Sequence, residues 1–179
     1  TNVTGTSQTV IFTITPTSAD GCVGNNITAT VNVRTEPVAV ATPQEQTFCS
    51  NSDVSITTIA LSTSNGLNAT TTFAWTRDNT INVTGIPASG SGNISGSLTN
   101  LTGTPQTVTF TITPANAGCA GNPITATVIV NPLPTATISG TTSVCQYNTT
   151  PIITFTGAGG IAPYTFTYNI NGAPNTTVT

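Results

Sequence analysis

Two stretches near the start of this sequence, 29 residues in all, return almost unchanged some 97 residues later, and that constrains the fold more than anything else in the chain. Thr1-Asn-Val-Thr-Gly-Thr-Ser-Gln-Thr-Val-Ile-Phe-Thr-Ile-Thr-Pro16 returns as Thr99-Asn-Leu-Thr-Gly-Thr-Pro-Gln-Thr-Val-Thr-Phe-Thr-Ile-Thr-Pro114, an offset of 98 residues. Gly21-Cys-Val-Gly-Asn-Asn-Ile-Thr-Ala-Thr-Val-Asn-Val33 returns as Gly118-Cys-Ala-Gly-Asn-Pro-Ile-Thr-Ala-Thr-Val-Ile-Val130 at an offset of 97, and Cys49 matches Cys145 at 96. A period of this size is that of one immunoglobulin-like sandwich of about 100 residues. The copies meet at Thr35-Glu-Pro37 and Asn131-Pro-Leu-Pro134, where proline removes a ladder donor and stiffens the backbone towards an extended form. The expected organisation is the end of one unit at 1–35, a complete unit at 36–132, and the start of a third at 133–179. With no initiator Met, the chain reads as a segment of something longer.

Within the complete unit, apolar and hydroxyl residues alternate with period two, the mark of half-buried strands. In Gln106 to Pro114, Val108, Phe110 and Ile112 share one face and threonines take the other; in Pro123 to Asn131 the apolar set is Ile124, Ala126, Val128 and Val130. Further strands are expected at Val38–Ala41, Val54–Leu61, Thr71–Arg77, Ile81–Gly85 and Ile94–Leu98, each bounded by Gly, Asn, Ser or Pro. Pro114 to Gly121 is expected as the turn of a hairpin. That makes seven short strands, no helix signal, and an all-β fold of tandem antiparallel sandwiches. Threonine supports the same reading, because its β-branch favours a pleated surface.

Charge removes whole classes of function. Charged residues are 4% of the chain, against about a quarter in an ordinary soluble domain, and the only basic ones are Arg34 and Arg77. Nucleic acid is therefore not expected as a partner, since phosphate recognition needs a basic cluster. No apolar run approaches the roughly 20 residues of a spanning helix, so membrane insertion is not expected either. Histidine is absent, which takes away the commonest general base and metal ligand together. Asp20, Glu36, Glu45, Asp53 and Asp78 form no calcium-loop pattern, and Ala158-Gly-Gly160 precedes no helix that could complete a phosphate cradle. Neither catalysis nor a cofactor or metal is expected.

Two kinds of residue remain to be placed. The aromatics Phe12, Phe73, Trp75, Phe110, Phe166 and Tyr168 are expected as core anchors, Trp75 above all, since its burial removes about 150 to 250 Å² from water. The alternative for Trp75, with Tyr164, is an exposed platform stacking on a sugar ring. The cysteines Cys22, Cys49, Cys119 and Cys145 suggest an oxidising, exported setting and lack the close pairs of zinc or redox motifs. With Cys49 in the turn after the first strand and Cys119 in the turn before the last, the two are expected at opposite ends of one unit. Staples between neighbouring units are then expected, a bridge from Cys49 to Cys119 being the alternative. Asn-x-Ser/Thr triplets begin at Asn2, Asn26, Asn68, Asn82, Asn93, Asn100, Asn148 and Asn175, a number that the abundance of Thr and Ser largely accounts for.

Thr135-Ala-Thr-Ile-Ser-Gly-Thr-Thr-Ser-Val-Cys145, Ala162-Pro-Tyr-Thr-Phe-Thr-Tyr168 and Gly118-Cys-Ala-Gly-Asn-Pro-Ile-Thr-Ala-Thr-Val128 resemble the PKD-like and immunoglobulin-like repeats of giant Bacteroidetes surface adhesins, among them the gliding adhesins of flavobacteria. The resemblance covers the whole chain. It implies export by the type 9 secretion system, an extracellular, cell-surface location, display as a long filament, and attachment to surfaces during gliding. Its implied partners are neighbouring repeats of the same chain, with surface polysaccharide or outer-membrane motility and secretion proteins beside them. One pattern departs: Asp20, Asp53 and Asp78 precede Gly21, Val54 and Asn79, not the Ser or Thr that follows O-glycosylated Asp in those bacteria. The functional expectation is a mechanical rod; a carbohydrate-binding module, or a spacer in a secreted hydrolase, is the alternative.

Overall fold

The computed structural model describes residues 2, 6–60, 71–140 and 142–179, the backbone alone for 57–60. Every regular element among them is a strand: β1 Gln8–Ile14, β2 Ile27–Val33, β3 Ala39–Thr42, β4 Glu45–Cys49, β5 Asp53–Ala60, β6 Thr72–Arg77, β7 Val83–Gly85, β8 Ser89–Ser91, β9 Ile94–Asn100, β10 Gln106–Asn116, β11 Cys119–Ala120, β12 Ile124–Asn131, β13 Thr135–Ser139, β14 Thr154–Ala158, β15 Phe166–Tyr168 and β16 Thr176–Val178. No helix among the described residues is long and apolar enough to cross a membrane.

Strands β3 to β12 form a two-sheet sandwich. One sheet has the order β3-β5-β9-β7, the other β4-β12-β10-β6-β8, with β11 on the end of β10. The inward residues are those the alternation selects. Val108, Phe110, Ile112, Ala126 and Val128 are fully buried, facing Val54, Ile56, Val83, Ile94 and Leu98 of the other sheet. Burying each such side chain contributes about 1.5 to 3 kcal/mol, so this face of the repeat fixes the register. A one-residue slip would turn it to water.

Three strands escape the pattern. Glu45–Cys49 is a strand, so Cys49 lies at a strand end, not in a turn. Its Glu and Gln stand on a sheet edge, where alternation carries little signal. The chain passes from β3 in one sheet to β4 in the other across Pro43, and β4 runs parallel to β12, from Thr127↔Glu45 to Asn131↔Cys49. Ser89–Ser91 is an edge strand too, with Gly90 packed under the ring of Trp75; a Cβ there would stand 2.3 Å from the indole. Strand β10 runs through Pro114 to Asn116, shortening the expected turn to Ala117 and Gly118, and the short β11 lies within the stretch taken for that turn. Proline is tolerated because the neighbour on one side changes there from β12 to β11, while Phe73 stands opposite on the other. The expected strand at Ile81 begins only at Val83; Ile81 is in a turn and 86% exposed. Leu61, the expected end of the second strand, and the Asn68 triplet lie outside the described residues.

The flanking segments repeat parts of this pattern. β1 pairs with β2 in the register of β10 with β12: Phe12↔Ala29 corresponds to Phe110↔Ala126, and Ile14↔Ile27 to Ile112↔Ile124. β13 pairs with β14 as β3 does with β5, and β15 with β16 as β6 does with β8.

Candidate functional site

The geometry bearing most directly on function lies at the two ends of the sandwich. β4 and β12 run side by side in the same direction, so the chain enters at one end and leaves at the other. At the exit end, Asn100 is 91% buried by its surroundings, with 9% exposure. Its amide donates to the carbonyls of Val130 at 2.7 Å and Thr104 at 2.8 Å, its oxygen accepts from the backbone N–H and hydroxyl of Thr102, and its own N–H donates to Ser50. The same amide geometry recurs in the preceding copy, where Asn2 donates to Val33 at 2.9 Å and Thr6 at 2.7 Å. The Asn-x-Thr triplet at Asn100 is thus a turn device whose side chain is occupied.

At the entry end, Arg34 donates through Nη1 to the carbonyl of Ala117 in the β10–β11 turn. Thr35 and Pro37 are buried, and a Cβ at Gly121 would fall 1.9 Å from the Pro37 carbonyl oxygen. Glycine is required by that close approach. Beyond the exit end, Gly160 donates to the Gly103 carbonyl at 3.3 Å.

The cysteines sit at these ends. Cys49 is beside Asn131, whose neighbour Val130 faces Gln106, the first residue of β10; Cys119 is beside Asn116, its last. Ten residues of strand separate those levels, about 33 Å, far beyond the roughly 7 Å that a disulfide spans. All four cysteines carry free thiols.

Trp75 is 7% exposed and meets Phe110 edge to face, with ring centroids 5.8 Å apart; its indole N–H has no protein acceptor. It offers no open face to a sugar, which overturns the alternative of an exposed stacking platform there, and Tyr164 is half-buried. Phe73 is half-buried against the core. Phe12 is not a core anchor in this chain. It is 53% exposed, because β1 and β2 have no second sheet facing them among the described residues. Phe166 and Tyr168 are half-buried and cluster on Phe155, at 5.6 and 5.3 Å.

Sequence reading gave Arg77 no role, yet it closes one end of the core. Its guanidinium donates from Nε to the Ile86 carbonyl at 2.7 Å and from both terminal nitrogens to Val83 at 3.1 Å. Burial lowers its pKa from the ordinary value, and Asp78 opposes that shift. No group of three or more metal-ligating side chains occurs among the described residues.

A register-matched hairpin, a two-sheet core and cysteines recurring with the sequence period are what one repeated sandwich module provides. The PKD-like domain family model matches residues 1–37 and 46–134, most of the chain. The chain belongs to the PKD-like domain family. Among solved structures, this PKD-like chain is similar to the S-layer protein rSbsC, with 14% identity and a TM-score of 0.37 over 99% of this chain and 33% of that one. It spans about a third of that chain's length. No curated protein matches.

Proposed function

We propose that this PKD-like chain is a load-bearing, non-enzymatic segment of a secreted filament on a bacterial cell surface, of the kind found in Bacteroidetes adhesins used for attachment and gliding. The parallel pair β4·β12 carries the reading. With entry and exit at opposite ends, tension along the chain pulls β4 and β12 past each other, loading their hydrogen bonds in shear so that they fail together. Proline junctions and the Arg34–Ala117 contact limit bending between units. The resemblance of the sequence supports the adhesin assignment, and the scarcity of charge leaves no surface for nucleic acid.

The test is single-molecule stretching of the chain from its ends, with Gln46→Pro in β4 as the comparison. On this edge strand alternate residues donate to β12, Ser50 to the Asn131 carbonyl among them, so proline at Gln46 removes a donor within the pair. The variant should unfold at markedly lower force while Trp75 fluorescence reports an intact core at rest. Equal rupture forces would remove the mechanical reading. For the surface assignment, the expected outcome is loss of the protein from intact cells by protease shaving, in a reading frame carrying many further copies.

The cysteines fit the same role as staples between repeats. Arg34 is the counterpart of Asn131, the neighbour of Cys49, and it reaches Ala117 in the turn that leads into Cys119. A thiol of the Cys49 kind and one of the Cys119 kind in the next repeat therefore share a junction. Joining them releases two protons and two electrons to a disulfide oxidant. Peptide mapping of an oxidised chain with several complete repeats should find the links between units; a link within one unit would exclude the staple.

A further inference from the structure

Among the described residues the complete sandwich has four edge strands, and three of them are guarded. β7 and β8 are three residues long, and β3 has four, held between Pro37 and Pro43. Short edges and flanking prolines are the usual means of stopping another chain from adding a strand. β4 is the exception. It is the longest of the four at five residues, Glu45–Cys49, with no proline, lysine or glycine inside it. It runs the length of the complete unit, so its open side does not depend on how many repeats stand before or after.

The hydrogen bonds fix which groups of β4 are open. Thr127 donates to Gln44 at 2.8 Å, and Ser50 donates to Asn131 at 2.7 Å. In a parallel pair alternate residues face the partner. Gln46 and Phe48 therefore bond to β12, while Glu45, Thr47 and Cys49 turn their N–H and C=O groups away from it. The Cys49 carbonyl accepts the Ser52 N–H at 3.1 Å, which leaves Thr47 at the centre of the open row. The side chains along this strand suit a copy of themselves. In an antiparallel pair about a two-fold axis at Thr47, Thr47 meets Thr47, Glu45 meets Cys49, and Gln46 meets Phe48. The two Glu45 carboxylates then stand roughly 13 Å apart along the strands, beyond the Debye length of about 10 Å at ordinary salt. A net charge of -3 adds little repulsion between molecules. Phe48, half-buried at the rim of the core, gains cover from the second copy.

We propose that β4 is a self-association edge, through which two copies of this chain pair antiparallel at Thr47 and join their larger sheets into one continuous sheet. A two-fold contact closes on itself, so one complete unit gives a dimer and no larger species. The contact is short and therefore weak, and repeats in tandem strengthen it through effective concentration. The paired chains run in opposite directions. The pairing stands on the geometry of the edge and does not require the cell-surface reading.

Sedimentation equilibrium of the full chain in a reducing agent, up to millimolar concentration, tests the edge. The wild type should pass from monomer to dimer and stop there. Thr47→Pro removes an N–H on the open side and leaves every donor to β12 in place, a position at which edge strands accept proline. Thr47→Lys sets two like charges against each other at the two-fold axis. Each should weaken dimerisation at least about tenfold, with Trp75 fluorescence showing an intact sandwich. A second readout locates the contact. With all four cysteines replaced by serine, Thr47→Cys should be trapped by oxidised glutathione as a disulfide-linked dimer. The Cα atoms of a hydrogen-bonded antiparallel pair stand about 5.5 Å apart, inside the roughly 7 Å that a disulfide spans. Thr125→Cys, exposed on the face of the same sheet, should stay largely monomeric. A wild type that remains monomeric overturns the proposal. Dimerisation unchanged in both Thr47 variants does so too, as does trapping no faster at Thr47 than at Thr125, because each marks a contact elsewhere. None of these outcomes touches the mechanical reading, which concerns the opposite side of β4.

Discussion

Hairpins β1–β2 and β10–β12 are close to the same object in sequence and are the same object in register, yet one is core and the other is largely surface. Phe110 is fully buried and Phe12, at the same place in the repeat, is 53% exposed. Both form their ladders, since pairing is a local property of alternating β-branched and aromatic residues joined by a turn. Burial is not local. It needs a second sheet, and only the middle hairpin has β5 and β9 above it and β6 beside it. Nearly identical strands thus contribute very unequally to stability.

The widest gap is expected at the two phenylalanines. Phe110→Ala should destabilise the sandwich by about 3 to 5 kcal/mol, whereas Phe12→Ala should change the main transition by less than about 0.5 kcal/mol; urea titration followed by Trp75 fluorescence measures both. Comparable losses would mean that the amino-terminal hairpin is covered in solution. Next come the two asparagines. Asn100→Ala removes the amide donor to the carbonyls of Val130 and Thr104, of which Thr104 keeps the Thr102 hydroxyl, and should cost about 1 to 3 kcal/mol, while Asn2→Ala should leave the same titration nearly unchanged. Arg77→Met, which keeps the apolar stem but removes the donors to Ile86 and Val83, should cost about 2 kcal/mol. The smallest effect is kinetic. Trypsin should cut native protein at Arg34, which is exposed between strands, well before Arg77, which is held in β6. Mass spectrometry of a brief digest would show fragments divided after Arg34, and early cleavage after Arg77 would mean that the β6 end opens readily.

The legible parts of the fold were those with strong periodicity. Val108, Phe110, Ile112, Ala126, Val128 and Val130 could be assigned to the core because every second residue is apolar and the pattern occurs twice. Edge strands were harder. Glu45–Cys49 and Ser89–Ser91 carry polar residues or glycine on an unshielded edge, so no alternation marks them, and β4 changes the topology by adding the parallel pair. Of the functional features, the separation of Cys49 from Cys119 follows from strand order and was visible in the sequence. The part played by Arg77 was not, because its acceptors are backbone carbonyls, which have no residue identity to read. Nor could sequence show that Phe12 lies open, since exposure depends on which other strands are present to cover it.

The switch of the first segment from β3 to β4 has a consequence for any filament built from this module. A unit measured along β10 is about 36 Å long, but the 97 or so residues of one period would reach more than about 300 Å if drawn straight. Each module therefore stores about seven to eight times its own length behind a single short clasp. When one clasp opens, the slack it releases lets the load fall before the next module feels it, so the filament gives way like a row of separate fuses.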